Sequence, residues 1–155
     1  MKIASCALDG RTGHEAGRAL LAALYREETE HELPPIAVEA GGKSYFPGSD
    51  WHFSISHTPR RAFCALSHRE IGIDAEELDR NVNLALAEKI LSPNEKAQFD
   101  AAPDKHRALL TFWVLKEARV KRTGEGLRGY PSKTDFSLDD PRVTEMDDCL
   151  VAAIE

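Results

Sequence analysis

This sequence lacks long apolar segments, which argues against a membrane-spanning protein. No stretch reaches the roughly 20 predominantly apolar residues of a membrane-spanning helix. The apolar part of residues 2–8 is too short for a signal peptide and predicts a first strand instead. We therefore expect a cytoplasmic protein without membrane association.

Cysteine is scarce, and positively charged residues are outnumbered by negatively charged ones. The three cysteines, Cys6, Cys64 and Cys149, are odd in number, far apart and set in apolar runs. This pattern is typical of small buried side chains in a reducing compartment, not of a disulfide framework. The formal net charge of −6 argues against a general nucleic-acid-binding protein, which would normally carry a basic excess.

The remaining composition is that of an ordinary globular domain. With 155 residues, of which 42% are hydrophobic, we expect one domain. The order of the predicted elements gives an α+β fold in two halves, about 1–68 and 69–155. These elements are strands at 2–8, 36–38, 53–57, 62–66 and 71–76, then two or three strands near 134–138, 142–146 and 149–154, with helices at 13–31, 84–91, from 93 onward, and 105–122.

An acidic pair lies on the strand predicted at 71–76. Because side chains alternate along a strand, its three apolar residues share one face, whereas Asp74 and Glu76 share the other with Gly72. Two carboxylates roughly 6.5–7 Å apart can both reach one Mg²⁺, directly or through water. An isolated pair of this kind is more often an exposed acidic surface. The apolar opposite face, and a glycine beside which a ligand could approach, favour a site.

A second group of polar residues lies on the helix predicted at 105–122. Trp113, Glu117 and Lys121 recur every fourth residue and form one stripe. Lys116 lies about 100° around the helix from Glu117, so both can border one cleft. The ordinary alternatives are a helix ion pair for Glu117 and Lys121 and a core position for Trp113.

Three more residues have an ordinary structural interpretation beside a functional one. Lys43 follows a Gly-Gly turn and would usually be a surface lysine. His57, at the end of a predicted strand, would usually be a hydrogen-bonded structural residue. Glu95 stands three residues after Ser92 in the spacing of a capping box, and helix capping is its favoured interpretation.

Three blocks of sequence, taken in order, resemble the 4′-phosphopantetheinyl transferases. The first runs from Gly42-Lys43 to Ser56-His57, and the second is a Gly-x-Asp-x-Glu strand at 72–76. The third is Trp-x-x-Lys-Glu-Ala at 113–118, followed by Lys121 and by Gly-x-Gly-Leu at 124–127. Because the Ser-His block precedes the acidic strand, the match over about 41–127 is to the larger pseudo-dimeric, surfactin-synthetase-activating type.

This resemblance implies two pseudo-symmetric α/β halves with the active site in the cleft between them. It also implies Mg²⁺-dependent transfer of 4′-phosphopantetheine from coenzyme A to a serine of an apo acyl or peptidyl carrier protein, releasing adenosine 3′,5′-bisphosphate. Asp74, Glu76 and Glu117 would hold the metal. Glu117 is the candidate base for the serine hydroxyl, directly or through water, with Glu95 as a second candidate, and Lys121 would protonate the departing phosphate.

By the same resemblance, coenzyme A would be bound by residues from all three blocks: Lys43, Ser56, His57, Asp74, Lys116 and Lys121. His57 would lie near the 3′-phosphate of coenzyme A. The chain is shorter than the enzymes it resembles, and the basic residues near the N-terminus that those enzymes use for the 3′-phosphate have no clear counterpart in it. An acidic carrier protein would need a basic rim, which Arg119, Arg122 and Arg128 could supply. We expect a monomer. The alternatives are a Mg²⁺-dependent hydrolase of a coenzyme A or nucleotide pyrophosphate, and an inactive relative that binds carriers.

Overall fold

The computed structural model describes residues 1–125 and 134–155. Its strands are β1 (Lys2–Ala7), β2 (Ala37–Val38), β3 (Ser44–Tyr45), β4 (His52–His57), β5 (Arg61–Ser67), β6 (Gly72–Glu77), β7 (Val143–Met146) and β8 (Cys149–Ile154). Its helices are α1 (Gly13–Thr29), a 3₁₀ turn (Leu84–Leu86), α2 (Ala87–Ile90), α3 (Pro93–Ala101) and α4 (Lys105–Thr123). Within the described ranges, none of these helices has the length and apolarity needed to cross a bilayer.

The strands form two three-stranded antiparallel sheets and a small β2–β3 hairpin. The first sheet has the order β1-β5-β4, and the second has the order β6-β8-β7. In each sheet the central strand, β5 or β8, is the one that comes last in the sequence. Its pairing with the edge strand is continuous: Ser5 lies opposite Phe63, and Asp74 lies opposite Ala152. Mixed helix and strand content confirms the predicted α+β class.

The two sheets pack face to face, and a helix covers the outer face of each. Alternate residues of the central strands divide between two sides, as a pleated strand requires. Phe63 and Val151 lie in the cluster between the sheets. Cys64 packs on the α1 side, and Leu150 packs on the α4 side. The four layers bury both faces of each central strand and fix the sheets relative to one another.

The helix boundaries follow the capping signals in the sequence. Thr12 and Glu15 form a capping box at the start of α1, as Ser92 and Glu95 do at the start of α3. Gly124 ends α4 in the left-handed conformation, with φ of 70°. The helix predicted at 84–91 is instead divided into the 3₁₀ turn and the single turn of α2.

The strand predicted near 134–138 is wrong. Side chains of α3 bind this backbone in place of a neighbouring strand: Glu95 accepts from the Phe136 amide at 2.9 Å, and Gln98 donates to the Phe136 carbonyl at 3.1 Å. Gln98 also accepts from the Leu138 amide at 3.1 Å. The apolar residues at 136 and 138 nevertheless pack on the core, which explains why their alternation resembled a strand.

Gly72 has a packing role that the sequence interpretation missed. We expected a ligand to approach beside it, but the backbone of α4 lies there. A Cβ at position 72 would stand 1.9 Å from the Ala118 carbonyl oxygen and 2.4 Å from the Arg122 amide nitrogen. The glycine therefore allows α4 to lie directly on β6, which brings the side chains of the helix to the acidic strand.

Gly72→Ala should consequently destabilise the protein by about 3 kcal/mol, because backbone atoms of α4 must move to admit the methyl group. Denaturant unfolding measures the change. Gly10→Ala is a suitable control, since a Cβ there meets open space and only the left-handed backbone opposes it, at about 1–2 kcal/mol. Equal losses at the two positions would contradict the packing explanation.

Candidate functional site

The edge strands β4 and β6 of the two packed sheets are joined by the serines of β4. Ser54 Oγ accepts a hydrogen bond from the Ile73 amide at 3.1 Å, and Ser56 Oγ accepts one from the Ala75 amide at 3.3 Å. Both serines are buried. Amides on the free edge of β6 thus find side-chain partners where a further strand would otherwise pair with them.

Asp74 lies at the centre of this junction, with 6% of its surface exposed. Ser56 donates to Asp74 Oδ1 at 3.0 Å, and Lys121 Nζ of α4 contacts the same oxygen at 2.6 Å. Lys121 also donates to Ser56 Oγ at 3.0 Å, so the three groups form a closed triangle. Burial raises the pKa of Asp74, while the Lys121 ammonium opposes that rise.

The second carboxylate oxygen of Asp74, Oδ2, has a different environment from Oδ1. Among the residues that the structure describes, no hydrogen-bond donor reaches Oδ2, although this atom is buried. A buried carboxylate oxygen without a partner is energetically unfavourable. It therefore retains the capacity to accept a ligand, and a cation is the group that would compensate its charge most strongly.

Glu76 is the second carboxylate of the acidic strand, and it contacts Trp113, the first residue of the α4 stripe. Its Oε1 accepts from Trp113 Nε1 at 3.0 Å and pairs with Arg80. Burial raises the pKa of Glu76, and the neighbouring Asp74 carboxylate raises it further. Repulsion between the two carboxylates is the electrostatic condition that a bound divalent cation relieves.

The stripe predicted on α4 does face the acidic strand. Trp113 contacts Glu76 and Lys121 contacts Asp74, so Glu117, which lies between them on the same side of the helix and is partly buried, is directed toward the same strand. Within the described ranges, however, no three carboxylate, histidine or cysteine side chains are already arranged as a metal site. The metal-binding roles of Asp74, Glu76 and Glu117 therefore stay predictions.

Lys116 occupies a separate buried cluster. Its ammonium lies 2.7 Å from Glu95 Oε2, and both side chains are fully buried. The same ammonium donates to the Thr134 carbonyl at 3.1 Å and lies 5.8 Å from the centre of the Phe136 ring. Burial lowers the pKa of Lys116, whereas the Glu95 carboxylate opposes the shift. The phosphate-binding role of Lys116 stays a prediction.

Glu95 therefore combines two structural roles, of which the sequence indicated one. It caps α3, as the Ser92 spacing predicted, and its Oε2 accepts from the Ser92 amide at 2.9 Å. Its pairing with Lys116 was missed because the two residues lie 21 positions apart in sequence, and no local pattern indicates a contact at that separation.

A cavity of about 290 Å³ opens beside the Asp74 triangle. Its lining comes from the loop before β3, the strand β4 and the end of α4, and includes Lys43, Ser54 and Lys121. This volume is at the lower end for ligand pockets, so it suits one end of a long ligand. Lys43 is not the exposed loop lysine of the ordinary interpretation, since its side chain is 11% exposed and pairs with Glu70.

His57 lies at the exposed end of β4, against the first turn of α1. A Cβ on Gly13 would stand 2.3 Å from the His57 ring, so the glycine is needed for that contact. Gly126 and Leu127 of the third block, and Arg128 of the expected basic rim, lie outside the described residues.

Comparison with known proteins shows which family this chain belongs to. A family model described as the 4′-phosphopantetheinyl transferase superfamily matches residues 70–148, slightly more than half of the chain. The chain belongs to this superfamily. The match contains the acidic strand, the Lys116–Glu95 pair and the whole of α4.

Curated relatives carry the same description over part of their length. A 4′-phosphopantetheinyl transferase of Bacillus subtilis is 36% identical over 102 residues, which cover 61% of this chain and 45% of the relative. The 4′-phosphopantetheinyl transferase psf-1 of Bacillus pumilus is 33% identical over 123 residues, covering 73% and 52%. The 4′-phosphopantetheinyl transferase HetI of Nostoc is 36% identical over 86 residues, covering 53% and 36%. The matched part of the chain thus spans about half or less of these relatives.

Removing the charge of Lys121 should alter the pH dependence of stability. In Lys121→Met the pKa of Asp74, already raised by burial, should rise further. A carboxyl with a raised folded-state pKa stabilises the fold below its unfolded pKa, and this contribution is lost as the pH rises through the folded pKa. The stability deficit of the variant should therefore be largest near neutral pH and shrink on acidification.

Unfolding midpoints measured at several pH values test this. Lys121→Arg keeps the positive charge and should keep the wild-type profile. A Lys121→Met profile parallel to that of the wild type would show that the ammonium does not control the ionisation of Asp74.

The Lys116–Glu95 pair should behave as a buried ion pair. Lys116→Met and Glu95→Gln should each destabilise the protein by about 3–5 kcal/mol, because each leaves a buried partner uncompensated. The double variant should lose clearly less than the sum. Lys96→Met, which removes a more exposed pair with Asp100, should change stability little. Additive losses in the double variant would contradict coupling between the two charges.

Proposed function

We propose that this protein transfers 4′-phosphopantetheine from coenzyme A to a serine hydroxyl of an apo acyl or peptidyl carrier protein, in a Mg²⁺-dependent reaction. The observation that carries the proposal is the Asp74–Ser56–Lys121 triangle at the junction of the two sheets, within a chain of this superfamily. It combines carboxylate and ammonium groups beside a cavity, which is the combination that a pyrophosphate and its cation require.

Mg²⁺ would be held by Asp74, Glu76 and Glu117. The buried Oδ2 of Asp74, which has no hydrogen-bond partner among the described residues, and the raised pKa of Glu76 support this choice. When bound, the ion would neutralise charge on the pyrophosphate oxygens of coenzyme A. Lys121 already lies 2.6 Å from Asp74, so its ammonium is placed to contact the same phosphates.

The reaction forms one bond and breaks another at a single phosphorus. The carrier serine oxygen attacks the phosphorus that bears the pantetheine arm, and the bond from that phosphorus to the bridging oxygen breaks. Glu117 accepts the serine proton, directly or through water, and Lys121 donates a proton to the departing phosphate. The products are the phosphopantetheinylated serine and adenosine 3′,5′-bisphosphate. Glu95 is the weaker candidate base, because Lys116 and two backbone amides occupy its oxygens.

The cavity beside the triangle would receive the nucleotide end of coenzyme A. Lys43 and Lys121 line it, Ser56 contacts Lys121 at its edge, and His57 lies at the exposed end of the same strand. We assign these residues to coenzyme A binding. Lys116 would have to exchange its contact with Glu95 to reach a phosphate.

The larger architecture supports further parts of the proposal. The matching strand orders of the two sheets support two pseudo-symmetric halves, 1–68 and 69–155, in one domain. Arg119 is exposed and Arg122 is partly exposed on α4, where they could contact an acidic carrier bound by the monomer. We place the protein in the cytoplasm as part of the same proposal.

Mass spectrometry of a panel of apo carrier proteins tests the proposal directly. The carriers are incubated with this protein, coenzyme A and Mg²⁺, and a parallel sample contains EDTA. We expect a mass gain of one phosphopantetheine group, lost with EDTA. Glu117→Gln should lower the rate by about 10²–10⁴-fold if Glu117 is the base, and Glu88→Gln, at a largely exposed carboxylate on α2, should leave it unchanged.

Other outcomes of that assay identify other functions. Cleavage of coenzyme A without modification of any carrier would favour a hydrolase. Full transfer by Glu117→Gln would exclude Glu117 as both base and required ligand. Intact coenzyme A and unmodified carriers across the panel would contradict the transferase proposal for these substrates.

A further inference from the structure

One wall of the cavity is formed by the turn of the short β2–β3 hairpin. In residues 39–44, the Gly42 amide donates to the Glu39 carbonyl at 2.8 Å, and the Glu39 amide donates to the Lys43 carbonyl at 2.9 Å. Gly41 packs directly on the end of α4, since a Cβ there would lie 2.6 Å from the Gly124 carbonyl oxygen. The position of the wall therefore depends on what holds this loop against α4.

The side chain of Lys43 makes that connection. A Cβ added at Gly124 would lie 3.3 Å from Lys43 Cβ, so the aliphatic stem of Lys43 crosses the helix end. Its ammonium donates to the Arg122 carbonyl, one of the last carbonyls of α4. Such carbonyls lack helical partners and favour a positive charge.

Glu70 completes the arrangement from the segment that joins the two sheets. One of its oxygens pairs with the Lys43 ammonium, and the other lies 3.5 Å from His52 Nδ1 on β4. The Lys43 side chain is 11% exposed, whereas that of Glu70 is 54% exposed, so the shielding from solvent is on the lysine side of the pair. Lys43 lowers the pKa of Glu70, which favours its ionised form at neutral pH.

We propose that Glu70 is a positioning residue that holds the Lys43 ammonium on the carbonyl end of α4 and thereby fixes loop 39–44 as a wall of the cavity. Its effect on coenzyme A rests on the proposed function. Glu70 would act on the whole nucleotide end through the shape of the wall. A direct contact between the Lys43 ammonium and the 3′-phosphate, by contrast, would require the Lys43–Glu70 pair to open.

Hydrogen exchange in the free protein tests the positioning role without coenzyme A. In Glu70→Gln, the Glu39 and Gly42 amides should exchange roughly tenfold faster, as expected for loss of a charge-assisted hydrogen bond. Glu88→Gln, matched in chemistry and remote from the loop, should exchange like the wild type. In a Lys43→Met background, Glu70→Gln should add nothing. Unchanged exchange at these two amides in folded Glu70→Gln would overturn the proposal.

Transfer kinetics test the consequence for the ligand. Glu70→Gln should raise KM for coenzyme A and for 3′-dephospho-coenzyme A by a similar factor, with kcat unchanged, because the wall contacts what both ligands share. A rise confined to coenzyme A would mean that Lys43 binds the 3′-phosphate directly, and would overturn the positioning role. If the wild type transfers nothing, the proposed function fails, and the exchange result alone decides whether Glu70 positions the loop.

Discussion

The contact between the edge strands β4 and β6 is the constraint on which the site depends. Two serine hydroxyls of β4 satisfy backbone amides of β6, so these edge strands of the two packed sheets are joined by side chains in place of a backbone ladder. Ser56 donates its hydroxyl proton to Asp74. Gly72 then lets α4 lie on the same strand, which delivers Lys121 to Asp74. The strands β4 and β6 and the helix α4 thus converge on a single carboxylate, that of Asp74.

The buried charges of the candidate site and of the neighbouring Lys116–Glu95 cluster differ in how fully the fold compensates them. Lys116 and Glu95 are fully buried, and each has several partners, so their charges are compensated within the fold. Asp74 is nearly as buried but keeps one oxygen without a partner among the described residues. An unsatisfied buried acceptor in an otherwise well-paired region is where a ligand gains most. This contrast favours Asp74 over Glu95 as the residue that binds the reacting groups.

Local signals in the sequence predicted most of the elements and the Trp113 stripe, because capping residues and periodicity act over a few positions. They failed where distant residues decide the structure. The backbone at 134–138 is held by Gln98 and Glu95, so apolar alternation there indicated a strand that does not form. Glycine at position 72 indicated ligand access, but only the packing of α4 shows why glycine is required. The family resemblance predicted site roles, whereas the burial of Lys116 needed the structure.

The central claim is that Asp74 at the sheet junction binds the divalent cation of a coenzyme A complex. Mn²⁺ accepts the same oxygen ligands as Mg²⁺ and is observed directly by electron paramagnetic resonance. Titration of Mn²⁺ with saturating coenzyme A should show one site in the wild-type protein, and Asp74→Asn should weaken it by at least tenfold, since the ion loses a charged ligand. Equal Mn²⁺ affinity in the two proteins would contradict the assignment of Asp74.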